Sequence, residues 1–198
     1  MATKAVVSEQ NAIKLAEETY GLRNVTRVKT LPSYDDVNYR LETGDGKKYL
    51  LKVFHAAMSA NRVRLEEQLG YQCFVGENGI LVPGIIKDSQ GKLQSYQHFA
   101  LGNGERGECA VRMLEYVDGV ICQQLPLFAG FFVQIGENCG DMHNLMSKSS
   151  NRFPGLNSLV HDWSLQSLVI KPDTRANSSA IDNQKTREIV GRVLDEFR

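Results

Sequence analysis

The 198-residue sequence predicts an α+β fold: an antiparallel sheet with a packed helix, followed by a mainly helical segment. Three observations lead there. Short β-rich runs crowd between residues 25 and 54, further runs fall at 80–87 and 110–116, and after Asp118-Gly119 the pattern changes to unbroken helical spacing.

In chain order, Ser8 is placed to cap a helix running to about Tyr20, with Ile13, Ala16 and Tyr20 on one face and Gly21 free to take the left-handed stop. Runs 25–31, 38–43 and 48–54 read as three antiparallel strands, the last two joined by a turn at Gly44-Asp45-Gly46. Ser59 opens a second helix to about Phe74, which Gly76 and Gly79 break. Runs 80–87 and 110–116 are strands, and the polar, Gly-containing stretch 88–109 reads as a hairpin with a long tip. Phe128, Phe131, Ile135, Cys139, Met142 and Met146 form one stripe of a helix from about Pro126 to Lys148, belonging to a second core. Segments 147–157 and 171–183 carry the Ser, Asn and Pro content of loops, and 181–197 is an amphipathic run.

Composition narrows the function classes. Lys plus Arg and Asp plus Glu both number 23, so no field of one sign is available for nucleic acid or an anionic membrane. Cys73, Cys109, Cys122 and Cys139 form no CxxC pair, which argues against zinc and a secreted disulfide framework and for reduced thiols in the cytoplasm. The first ten residues lack an apolar targeting core, and no run approaches the ~18 apolar residues of a membrane span.

Three features carry potential chemistry. Alternation in 48–54 puts Lys52 on one face with Leu50 and Phe54, where an unpaired buried ammonium costs roughly several kcal/mol unless an anion or carboxylate meets it. The competing reading has Lys52 snorkelling to water from an open face. On the following helix Glu66 and Glu67 occupy adjacent stripes, so either is able to face the sheet; two solvated glutamates is the plainer alternative. The turn Leu31-Pro32-Ser33-Tyr34-Asp35-Asp36-Val37-Asn38 has no glycine and fails G-x-G-x-x-G. Its amides and the Ser33 hydroxyl suit phosphates, but inward-pointing Asp35 or Asp36 would repel them, and a plain Asx-type turn is the alternative.

Strand, polar turn, strand, strand with Leu-Leu-Lys-Val, helix with Glu, then Val-Arg-Met-Leu-Glu-Tyr-Val-Asp-Gly resembles the nucleotide-binding lobe of the aminoglycoside phosphotransferase and choline kinase family, a protein-kinase-like fold. Within it, Leu-Pro-Ser-Tyr-Asp-Asp-x-Asn at 31–38, Tyr-Leu-Leu-Lys-Val at 49–53 and Val-Arg-Met-Leu at 111–114 look most like the hydroxylysine kinases, which phosphorylate 5-hydroxy-L-lysine with GTP. The likeness is dense to Gly119 and thin afterwards. It implies a lobe at 1–112, a hinge at 113–119 and the start of an incomplete helical lobe at 120–198. It implies Lys52 on the α- and β-phosphates, Glu66 as its helix partner, the Ser33–Asn38 turn with Tyr34 over the phosphates, and Met113, Glu115 and Val117 at the purine, the last two through main-chain groups. GTP or ATP with Mg²⁺ would be the cofactor and a small amino-alcohol the substrate.

The family's catalytic segment is not recognisable. Phosphoryl transfer of this type needs an Asp base, an Asn five residues on and a downstream Asp on Mg²⁺. Cys139-Gly140-Asp141-Met142-His143-Asn144 departs from His-Gly-Asp-Leu-x-x-x-Asn in its first residue, has Met146 at the Asn position and lies in a helical stripe. His143 therefore reads as packing and Asp141 as solvated; no catalytic or metal-ligating residue is assigned. The expectation is a chain that ends before the catalytic loop and is inactive alone, with an uncovered stripe at 128–146 inviting self-association or a partner. A binding module that never turns over, and a kinase for choline or an aminoglycoside, are the rival readings.

Overall fold

The computed structural model describes residues 3–126, 128–149, 151–157 and 181–196. The chain divides into two compact units, Met1–Phe153 and Pro154–Arg198.

The first unit begins with α1 (Glu9–Tyr20), where the Ser8 hydroxyl accepts the Asn11 N–H at 3.1 Å and Gly21 closes the helix at φ +66°. Both ends follow from residue type, an N-cap oxygen and a residue without a Cβ penalty in the left-handed region. Strands β1 (Val25–Leu31), β2 (Val37–Thr43) and β3 (Lys48–Val53) form an antiparallel meander, its second turn using Gly46 at φ +81°. Beyond β3 lie α2 (Ala56–Ser59), α3 (Arg62–Glu77), β4 (Ile85–Ile86), β5 (Ser95–Ala100) and β6 (Arg106–Glu115). The sheet order is β1-β2-β3-β6-β4, with β5 pairing to β6.

Strand alternation divides the sheet into two faces. One packs Tyr39, Leu41, Leu51, Val53, Val111 and Met113 against Ala12, Leu15 and Ala16 of α1. Each fully buried Leu there contributes roughly 1.5–3 kcal/mol. The other face carries Asn38, Arg40, Leu50, Lys52, Arg112 and Leu114 by the same register. There, Leu65 of α3 covers Phe54 and Ala110, leaving the β2–β3 half of that face for the site.

The structure differs from sequence expectation at several boundaries. The helix expected to open at Ser59 starts later: Ser59 ends the short α2, and the Asn61 side chain accepts the Arg64 N–H and starts α3. The strand expected at 80–87 shrinks to β4; Pro83 has no N–H to give a ladder. The hairpin in 88–109 has a short tip, closed by the Leu101 N–H to the Glu105 carbonyl at 2.8 Å, while the Asp88 carboxylate takes the Gln90 and Lys92 N–H groups in a separate turn. A 3-10 turn at Cys122–Gln124 precedes α4 (Ala129–Lys148), which starts later than Pro126. No described residue of α4 is buried.

In the second unit, α5 (Pro154–Asn157) and α6 (Gln184–Glu196) are described, α6 capped by the Asn183 carboxamide accepting the Thr186 N–H at 3.0 Å. Most of the expected 171–183 loop, and Phe197, lie outside the described residues.

Candidate nucleotide site

Lys52 stands on the sheet face not covered by α1, opposite Asn38 on one side and Arg112 on the other. Its ammonium meets a carboxylate: Lys52 Nζ lies 2.7 Å from Asp36 Oδ2, and 4.7 Å from the Phe54 ring centroid. The two side chains are only 27% and 20% exposed, so this pair is less screened than a surface one. Asp36 is itself fixed, because its Oδ1 accepts the His55 backbone N–H at 3.0 Å. One carboxylate thus ties the β1–β2 turn to the end of β3 and neutralises the lysine.

The turn is braced from both sides. The Ser33 hydroxyl donates to the Asp36 carbonyl, and Lys4 Nζ donates to the Ser33 and Tyr34 carbonyls at 3.2 and 3.1 Å. The Ser33 proton is therefore committed within the turn, while the Tyr34 side chain is exposed. Asn38, the strand residue facing Lys52, holds a buried Oδ1 without a hydrogen-bond partner among the described residues.

At the far end of β6, Met113 is fully buried between Leu51 and Ile86. The Glu115 N–H donates to the Gly84 carbonyl at 2.8 Å and the Tyr116 N–H to the Lys48 carbonyl at 3.1 Å. The Glu115 N–H is thus already engaged, by the residue just before β4. Val117, 55% exposed, enters none of the described backbone hydrogen bonds, so its amide remains able to meet a ligand. Lys48 Nζ grips both Asp118 oxygens at 2.8 and 2.7 Å, and the Arg40 guanidinium sits 5.5 Å from the Tyr116 ring centroid, fixing the segment after β6 to the sheet.

The expected ion pair of Lys52 with Glu66 is not formed. Glu66 is exposed and lines, with Arg62, Tyr96 and Glu108, a groove of about 930 Å³ along α3 and β5. Helix phase is the reason: Leu65 takes the sheet-facing position, which turns Glu66 out. Asp36 is the partner that sequence reasoning missed, having been weighed only as a repeller of phosphate. Its signal lay in the register, since strands pairing 37 with 53 bring residue 36 beside the end of β3. His143 is also exposed, not packed. All four cysteines are free.

Arg112 is the second cation here, 5% exposed. Its Nη2 donates to the Leu65 carbonyl at 3.2 Å and to Gln94 Oε1 at 2.6 Å, and its guanidinium lies 4.9 Å from the Phe54 ring centroid. It enters none of the described ion pairs, and burial holds its pKa below the usual arginine range. Carbonyl dipoles and a π-face, rather than a carboxylate, stabilise it.

No protein-family model matches the chain. Curated hydroxylysine kinases do: the Danio rerio protein is 22% identical over 99% of this chain, the Bos taurus protein 26% over 99% and the Mus musculus protein 24% over 100%. The chain is similar to the hydroxylysine kinases. It spans about half the length of these relatives, 54% and 53% for the first two. Among solved structures, the amicoumacin kinase hAmiN, determined with AMP-PNP and Ca²⁺, superposes with a TM-score of 0.59 at 16% identity over 96% of this chain and 55% of its own. A microcompartment-associated aminopropanol kinase gives 0.53 at 15% over 69% and 40%. The fold is therefore kinase-like, an antiparallel sheet with helices. Of the groups that the hydroxylysine kinase likeness implies, a nucleotide fits the partly exposed Lys52 ammonium and the exposed Val117 segment. Among the described residues there is no group of three His, Cys, Asp or Glu side chains placed for a metal ion.

Proposed function

We propose that these residues are the nucleotide-binding part of a small-molecule kinase, with the lobe at 1–112, the hinge at 113–119 and the start of a helical lobe at 120–198. The seat of Lys52 carries the reading: an ammonium on the sheet face turned away from α1, held by a carboxylate and still open to a ligand. A lysine so held presents a fixed point charge to the α- and β-phosphates. The Ser33–Asn38 turn, with Tyr34, lies over those phosphates, and Val117 gives its N–H to the purine while Glu115 offers its carbonyl. Met113 backs this segment from the core.

The finer assignment is a phosphotransferase that moves the γ-phosphoryl of GTP to 5-hydroxy-L-lysine in the cytoplasm. The likeness to hydroxylysine kinases supports it. These 198 residues contain no His-x-Asp-x-x-x-x-Asn, so nucleotide binding without turnover is the behaviour assigned to them by themselves. The exposed apolar face of α4 is assigned to self-association.

The decisive test is thermal stability of this chain with GTP, repeated in Lys52→Ala. Stabilisation by GTP that is lost in the variant is expected. Equal stabilisation of both proteins would remove the basis of the assignment, and GDP release dependent on hydroxylysine would show that the chain turns over unaided.

A further inference from the structure

We infer that Asp36, a carboxylate of the β1–β2 turn, is the positioning residue for Lys52, taking the part that a glutamate of α3 was expected to play. The inference rests on the nucleotide-binding reading of the site. Asp36 is held on both oxygens by different elements: Oδ1 by the His55 N–H at 3.0 Å, Oδ2 by Lys52 Nζ at 2.7 Å. The first contact is to backbone, so the carboxylate stays where the chain after β3 puts it. Lys52, a four-carbon stem ending in three donors, spends one of them on Asp36 and keeps the others for a ligand.

This arrangement couples two parts of the site. The residue that orients the lysine belongs to the turn assigned to cover the phosphates, and the Ser33 hydroxyl on the Asp36 carbonyl and Lys4 on the Ser33 and Tyr34 carbonyls make that turn one braced unit. Cover and lysine then move together, and the orientation of Lys52 does not depend on Glu66, which points into the groove with Arg62, Tyr96 and Glu108.

The test is titration of the full 198-residue chain with guanosine, GDP and GTP. Asp36→Asn keeps an oxygen for the His55 N–H but removes the charge beside Lys52. It is expected to weaken GDP and GTP about tenfold while leaving guanosine unchanged, and Asp36→Glu should restore part of the loss. Glu66→Gln is expected to bind all three as the parent does. Tighter GTP binding in Asp36→Asn would mean that the carboxylate competes with phosphate, and an equal loss for guanosine would mean that it only shapes the turn; either overturns the inference, as does unchanged binding. If Asp36→Asn does not fold, a GTP-selective loss in Glu66→Gln overturns it, and parental binding there supports it. Lys52→Ala separates the two levels, because GTP binding that survives that change sinks the nucleotide reading itself.

Discussion

Asp36 and Lys52 sit 2.7 Å apart across the gap between the β1–β2 turn and the third strand, and the same aspartate receives the His55 amide. Its two oxygens have separable roles, one electrostatic and one structural. Asp36→Ala removes both and leaves a part-buried N–H without its acceptor, which costs about 1–3 kcal/mol. Asp36→Asn retains that acceptor and is expected to cost less than half as much. Urea denaturation of the two variants against the parent measures the difference, and equal losses would show that the His55 contact contributes nothing.

Arg112 is held by neutral partners, so it is sensitive to their removal. Gln94→Ala takes away the Oε1 acceptor at 2.6 Å and leaves a nearly buried guanidinium with only the Leu65 carbonyl and the Phe54 ring among its described partners. A loss of roughly 1.5–3 kcal/mol is expected, larger than for Arg112→Met, which removes the charge along with its need for partners. Chemical denaturation of both variants checks the order.

Alkaline pH should unfold the protein through Tyr20. Burial pushes its phenol from 10 up to about 12, and its hydroxyl donates to the Val111 carbonyl at 3.0 Å. The folded state holds this proton more tightly than the unfolded chain, so the stabilisation is full below pH 10 and is lost as pH rises toward 12. Tyr20→Phe should flatten the fall in stability over that window. A residual slope is expected from Cys109, which burial raises from 9 to about 11 in the same sense. Denaturation midpoints at pH 8, 10 and 11, roughly spanning the window, test it.

Helix α4 exposes Phe132, Val133, Ile135, Met142 and Met146, and Phe128 just before it is exposed as well. A hydrophobic dye should therefore bind the native chain, and its fluorescence should fall in the double change Phe132→Gln, Val133→Gln without loss of the thermal transition. Sedimentation of parent and variant would show whether association falls with it. Unchanged dye binding would place the accessible apolar surface elsewhere.

Strand alternation made much of this protein legible in its sequence. It assigned Leu51 and Val53 to one face and Leu50, Lys52 and Phe54 to the other, because side chains along a strand alternate whatever lies beside them. Ser8 and Gly21 marked the ends of α1 for an equally local reason, and the kinase-like order of elements was readable from motif succession. Boundaries that depend on competition between neighbours were less legible: Asn61 starts the helix that was expected to open at Ser59.

The lysine and its face were thus determined by the sequence, and its partner was decided by the tertiary structure. Two glutamates on α3 and two aspartates in the turn were all within the range of a plausible pairing, and local pattern weighs them alike. The choice fell to the rotation of α3, fixed by Leu65 against Phe54 and Ala110, and to the β2–β3 register, which delivers Asp36 to the end of β3. Both are set by how separate elements bury apolar surface against one another, an energy summed over contacts distant in the chain that no local stretch of sequence contains.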